Sequence, residues 1–158
     1  MINYKQFREN IVVPVLKYLE PEILYSESAA NLLMMTAAHE SKGGTYLKQL
    51  KGPALGVYQM EPSTQTDTYA NFLRYRDDLN DKVMDLLGDA ARVIHPLVHN
   101  LAYATAMARV HYYRVPEALP DAEDTLGLAK YAKAYYNTNL GKAKVEDYKN
   151  AFEYWRDQ

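Results

Sequence analysis

An all-α fold is predicted by three observations on the 158-residue chain. Apolar residues recur at intervals of three and four nearly from end to end. The runs stop at Gly, Pro and capping residues, and they contain no internal repeat, low-complexity tract or linker. The one stretch that reads as extended is "LGVYQM", residues 55–60. Residues 1–158 are therefore read as a single domain, a size that supports a real core.

Taken in order, Phe7, Ile11, Val15 and Leu19 mark a first helix that Pro14 should kink or split. Ser26 is an N-cap for "ESAANLLMMTAAHES", with Glu27 in its first turn and Gly43-Gly44 as its stop. Residues 42–62 read as loop. Ser63 is expected to cap a helix with Tyr69, Phe72, Leu73 and Arg76 on one face. A short helix is expected after Asp81, ending at Gly88. Pro96 suits the first turn of one long helix striped by Val98, Leu101, Thr105, Ala108 and Tyr112. "RVPEALPDAED" is a loop; Leu128, Tyr131 and Tyr135 mark a helix that breaks at "YNTNLG". Val145, Tyr148, Phe152 and Trp155 form the last stripe.

Composition excludes several classes. Lys plus Arg is 18 against 20 Asp plus Glu, a net charge of −2 with scattered basic residues, so no nucleic-acid footprint is present. With no cysteine there is neither a disulfide nor a thiolate metal site. "MINYKQFREN" does not read as a secretory signal, and the apolar runs are far below the roughly 18 residues of a membrane span. The expectation is synthesis in a cytoplasm without stable membrane insertion. Tyrosine is abundant, 15 against 3 Phe and 1 Trp, which suits half-buried helix positions and also wet grooves for polar ligands.

Leu33, Ala37 and Glu40 lie on one helix face, and the first two turn that face inward. Glu40 is thus expected to be partly buried, in the last turn, where the helix dipole is negative. Both effects raise a carboxyl pKa, the condition a general acid needs. Pairing with Lys42 or an arginine, or an outward rotation, would instead make it structural. The glycines at 43, 44, 52 and 56 permit special backbone shapes and close ligand approach. Gln59 offers a donor and an acceptor suited to hydroxyl and acetamido groups.

Glu40-Ser41 followed by "GPALGVYQMEPST" (52–64) resembles the signature of lytic transglycosylases and goose-type lysozymes. "LAKYAKAYYNTNLGKAKVEDY" (128–148) is similar to that family's Ala-Tyr-Asn-Ala-Gly segment, and the blocks fall in the family's order over about residues 30–150. Here Val57-Tyr58 replaces Leu-Met, Pro53 interrupts Gly-Ala, and Thr138-Asn139 replaces Ala-Gly. The resemblance implies a lysozyme-like helical domain with a catalytic cleft. Its implied reaction is cleavage of peptidoglycan glycan strands between N-acetylmuramic acid and N-acetylglucosamine. Glu40 would be acid and then base, giving a 1,6-anhydro product. Ser41, Gly56, Tyr58, Gln59, Tyr136 and Asn137 would bind substrate. A two-carboxylate hydrolase would need a second acid about 5–9 Å away, for which Glu61 and Asp67 are the candidates.

No cofactor is implied. His95 and His99 lack a third metal ligand, "NLGKAKVED" is not a phosphate loop, and Ser41 and Ser63 lack a nucleophile-elbow context. Compact size without an export signal favours a phage product, acting on the cell wall or carried in a virion with other virion proteins as partners. The rival expectation is a non-catalytic virion component or glycan-binding protein that keeps the fold.

Overall fold

The computed structural model describes residues 1–89, 93–137 and 141–158, and among them the chain is all-α, with only isolated β-bridges in the loop after residue 41. The first segment is split as Pro14 requires. Helix α1 (Tyr4–Phe7) passes into a π-helical turn (Arg8–Val12) and then α2 (Val13–Tyr18). Val13 donates to the Arg8 carbonyl five residues back, just before the proline that has no N–H to give.

Helix α3 (Glu27–Ser41) starts on the Ser26 cap, whose hydroxyl accepts the Ala29 N–H at 3.0 Å. Its end is a left-handed Lys42 (φ 50°) followed by Gly43 (φ 57°) and Gly44 (φ 79°). A loop then carries the chain to α4 (Pro62–Asn71). Glu61, not Ser63, holds the N-cap position of α4, because Pro62 takes the first helical position, where a missing N–H costs nothing.

The predicted Tyr69–Arg76 face is not one helix. α4 stops at Asn71, Phe72 leaves helical geometry (φ −140°), and a 3₁₀ turn (Leu73–Tyr75) buries Leu73 instead. Helix α5 (Asp77–Leu87) starts earlier than expected, with Asp77 and Asp78 in its first turn. The stripe after Pro96 is also two helices, α6 (Pro96–His99) and α7 (Leu101–Tyr113). Asn100 makes the break: its Oδ1 accepts from Tyr103 N at 2.9 Å, while its Nδ2 donates to the Leu86 carbonyl at 2.8 Å. One side chain therefore caps α7 and satisfies the end of α5. Helices α8 (Thr125–Tyr135) and α9 (Val145–Arg156) complete the chain.

The core gathers α3 and α7, both buried along most of their length, with α8 and α9 packed on α3. Leu32, Leu33, Met34, Met35, Tyr103, Met107, Val110 and Tyr112 are all essentially inaccessible. Two buried hydroxyl pairs cross it: Thr36 with Tyr112 (2.8 Å) and Tyr58 with Thr105 (3.0 Å). These pairings let tyrosine serve as core filling without orphaned polar atoms. The N-terminal segment straps the end of α3, since Ile2 N donates to the Gly43 carbonyl and Trp155 Nε1 donates to the Ile2 carbonyl, each at 2.8 Å. No helix among the described residues is long and apolar enough to cross a membrane.

Candidate active site

Glu40 is half-buried in the last turn of α3 and lines a groove of about 480 Å³. Gln49, Gln59, Glu61, Thr64, His111 and Asn137 share that groove, as does the half-buried ring of Tyr136. Five separate stretches of chain meet here: the end of α3, the loop, the start of α4, the last turn of α7, and the segment after α8.

The Glu40 carboxyl is held from α9 and from the end of α8. Tyr148 donates its hydroxyl to Oε1. The Tyr148 ring stacks on His39 with centroids 4.0 Å apart, fixing both residues beside each other. Asn137 bonds the same carboxyl, and its own Oδ1 accepts from Lys133 Nζ at 3.1 Å. Lys133 also reaches the Gly141 carbonyl at 2.9 Å, so one lysine ties the end of α8 to the start of the next segment. Four influences compete on Glu40. Burial raises its pKa, whereas the Tyr148 and Asn137 hydrogen bonds and the Lys133 charge lower it. Burial wins, and the pKa lies above the ordinary carboxylate value.

Gly56 and Gln59 are set by a tight turn closed by Leu55 and Met60, whose backbones exchange hydrogen bonds at 2.9 and 3.0 Å. Both turn residues have positive φ, 77° at Gly56 and 46° at Gln59. A Cβ at Gly56 would stand 1.8 Å from the Leu97 carbonyl oxygen, so glycine is required by the packing of the loop on α6. Gln59 spends its amide nitrogen on the Gly56 carbonyl at 2.8 Å. What it can offer a ligand is therefore its Oε1 acceptor.

The expected substrate residues divide into two groups. Glu40, Gln59, Tyr136 and Asn137 come together on the groove. Ser41, Gly56 and Tyr58 do not line it. Ser41 is fully buried, accepting the Gly44 N–H at 2.8 Å and donating to the Ala37 carbonyl at 3.1 Å, so it closes the helix. Tyr58 points into the core, its ring 6.4 Å from Phe7, and offers the site only a backbone carbonyl that accepts the Tyr136 hydroxyl at 2.7 Å. Of the two candidate second acids, Glu61 lines the groove and is exposed. Asp67 lies outside it, paired with Arg114 at 2.8 Å, and that hydrogen bond lowers its pKa. Thr138 and Asn139 fall outside the described residues, as does part of the "NLGKAKVED" stretch.

Residues not anticipated are Gln49, Thr64, His111, Lys133 and Tyr148. Tyr148 reads in the sequence only as part of the α9 core stripe, and no spacing rule connects it with residue 40. His111 presents a buried Nδ1 without a hydrogen-bond partner, while its Nε2 lies 3.1 Å from the Tyr135 carbonyl. Its pKa is lowered, chiefly by burial, so the ring favours the neutral form. His95 caps α6 by accepting the Leu97 N–H at 3.2 Å, and no group of three His, Asp or Glu among the described residues could hold a metal ion.

Chemically, the groove combines a carboxyl held toward its protonated form with amide, hydroxyl and imidazole groups able to bind a polar, uncharged chain. Comparison of the chain with family models, curated proteins and solved structures finds no match.

Proposed function

We propose that the protein is a peptidoglycan-cleaving muramidase of the lytic transglycosylase type with a lysozyme-like fold, and that Glu40 is its acid and base. The observation that carries this reading is Glu40 itself, a carboxyl raised by burial at a helix end and yet opening on a groove with Gln59, Tyr136 and Asn137. In the proposed reaction, Glu40 gives its proton to the glycosidic oxygen as the bond to the muramoyl C1 breaks. The resulting carboxylate then accepts the proton of the muramoyl 6-hydroxyl as that oxygen closes on C1. Tyr148 and Asn137 hold the carboxyl through both steps and stabilise the charge that forms between them. Glu61 is the one expected second acid that borders the groove, and activation of water by it would make the enzyme a hydrolase instead.

A second reading, a non-catalytic glycan-binding or virion component, is favoured by one observation: Tyr148 and Asn137 already satisfy the Glu40 carboxyl, as they would a structural acid. Sedimentation with purified peptidoglycan separates the two. The enzyme reading predicts that wild type releases soluble fragments and that Glu40→Gln binds the polymer but releases none. Binding without release by both proteins would support the second reading.

A further inference from the structure

A second cavity, about 420 Å³, is lined by Phe72, Arg76, Arg109, Tyr113, Arg114 and Glu117, among others. Arg109 projects from the middle of α7 and is only 7% exposed. Its Nε is buried with no hydrogen-bond partner, and no carboxylate pairs with it among the described residues. Its guanidinium carbon lies 5.6 Å from the centre of the Tyr113 ring. Arg76 stands 3.8 Å over the Phe72 ring and also has no carboxylate partner among the described residues.

None of the neighbouring acids among the described residues pairs with Arg109 or Arg76. Asp67 holds Arg114 at 2.8 Å, the Glu117 carboxyl bonds the Tyr135 hydroxyl, and Glu22, beyond Arg76, faces Lys82 at 3.5 Å. A buried guanidinium without a counter-charge is costly, and an aromatic face compensates it only in part. The cavity lining sets Arg76, Arg109 and Arg114 against the single carboxylate of Glu117, and the guanidinium of Arg109 is a forked donor whose geometry matches a carboxylate or phosphate.

We propose that this cavity binds an oxyanion, a carboxylate or a phosphate, with Arg109 as the forked donor and Arg76 as the second cation. The site stands whether or not the Glu40 groove cleaves glycan. It is not isolated from that groove. Arg114, Val115, Pro116 and Glu117 line both this cavity and a trough that also includes His111, itself a groove residue. A ligand in the groove that carries an anionic branch would meet the arginines at the far end of the trough.

The test is thermal unfolding with inorganic phosphate or acetate, at ionic strength held constant with chloride. Wild type should gain about 3–6 °C at ten times the dissociation constant of the anion that fits. Whichever probe saturates at the lower concentration identifies the bound group as phosphate or carboxylate. Arg109→Met keeps the stem and removes the charge. It should melt at or above wild type without anion and show no response to either probe. Arg76→Gln, a change at an exposed position, should weaken the response about tenfold. No response by wild type to either anion would overturn the proposal. So would variants that respond as wild type does.

Discussion

At Glu40 desolvation opposes two hydrogen bonds and a nearby ammonium, and desolvation prevails. The consequence for stability has a definite sign. A carboxyl whose folded pKa is raised binds its proton more tightly in the native state, so native stability falls as pH rises from the unfolded value through the folded one. Glu40→Gln removes this loss while keeping an acceptor for Tyr148. The variant should therefore melt higher than wild type at neutral pH, and the gap should close toward pH 4, as measured by unfolding across pH. Tyr148→Phe leaves the carboxyl in place and shifts its titration. It removes a bond that favours the charged form, so the alkaline limb of any cleavage activity should move to higher pH, at a stability cost of about 1–2 kcal/mol. That Glu40 would be half-buried was legible in the spacing of Leu33, Ala37 and Glu40. Tyr148 was not legible, because its partner lies 108 residues away and both roles, core filler and donor, use the same helical spacing.

Between elements, Gly56 and Asn100 join neighbouring segments, the first by a backbone contact with α6 and the second by capping α7 and the end of α5. Gly56 touches the Leu97 carbonyl, which cannot move aside as a flexible side chain could. Gly56→Ala should destabilise by about 2–4 kcal/mol in denaturant unfolding, through both the clash and the positive φ. Asn100→Ala removes the α7 cap and leaves the Leu86 carbonyl without its donor; about 1–2 kcal/mol is expected. These devices also explain which elements could be read in advance. Ser26, Gly43-Gly44 and Pro96 are local signals, and the structure obeys them. The continuous stripe from Val98 to Tyr112 suggested one helix because apolar periodicity carries across Asn100. The break is made by that residue's bond to the end of α5, a tertiary contact that periodicity does not encode. Ser63 lost the cap to Glu61 for a local reason instead, since Pro62 takes the first helical position.

Over the whole molecule, a core centred on α3 and α7 leaves a groove at the end of α3, and the loop from residue 42 to 61 forms much of its lining. Glu40, Gln59, Tyr136 and Asn137 share the groove. Tyr58 and Ser41 do not, because hydroxyl-bearing residues can satisfy themselves inside, as these do with Thr105 and with the helix end. A titration with an N-acetylglucosamine oligomer, followed by amide NMR, should perturb Gln49, Gln59, Thr64 and Asn137 and spare Ser41. The central claim, that Glu40 is the acid and base of a glycan-cleaving groove, is met most directly by mass analysis of the products released from purified peptidoglycan. Wild type should release 1,6-anhydromuramoyl fragments, and Glu40→Gln none. The same anhydro products released by Glu40→Gln, or no products from wild type on peptidoglycans of several chemotypes, would contradict it.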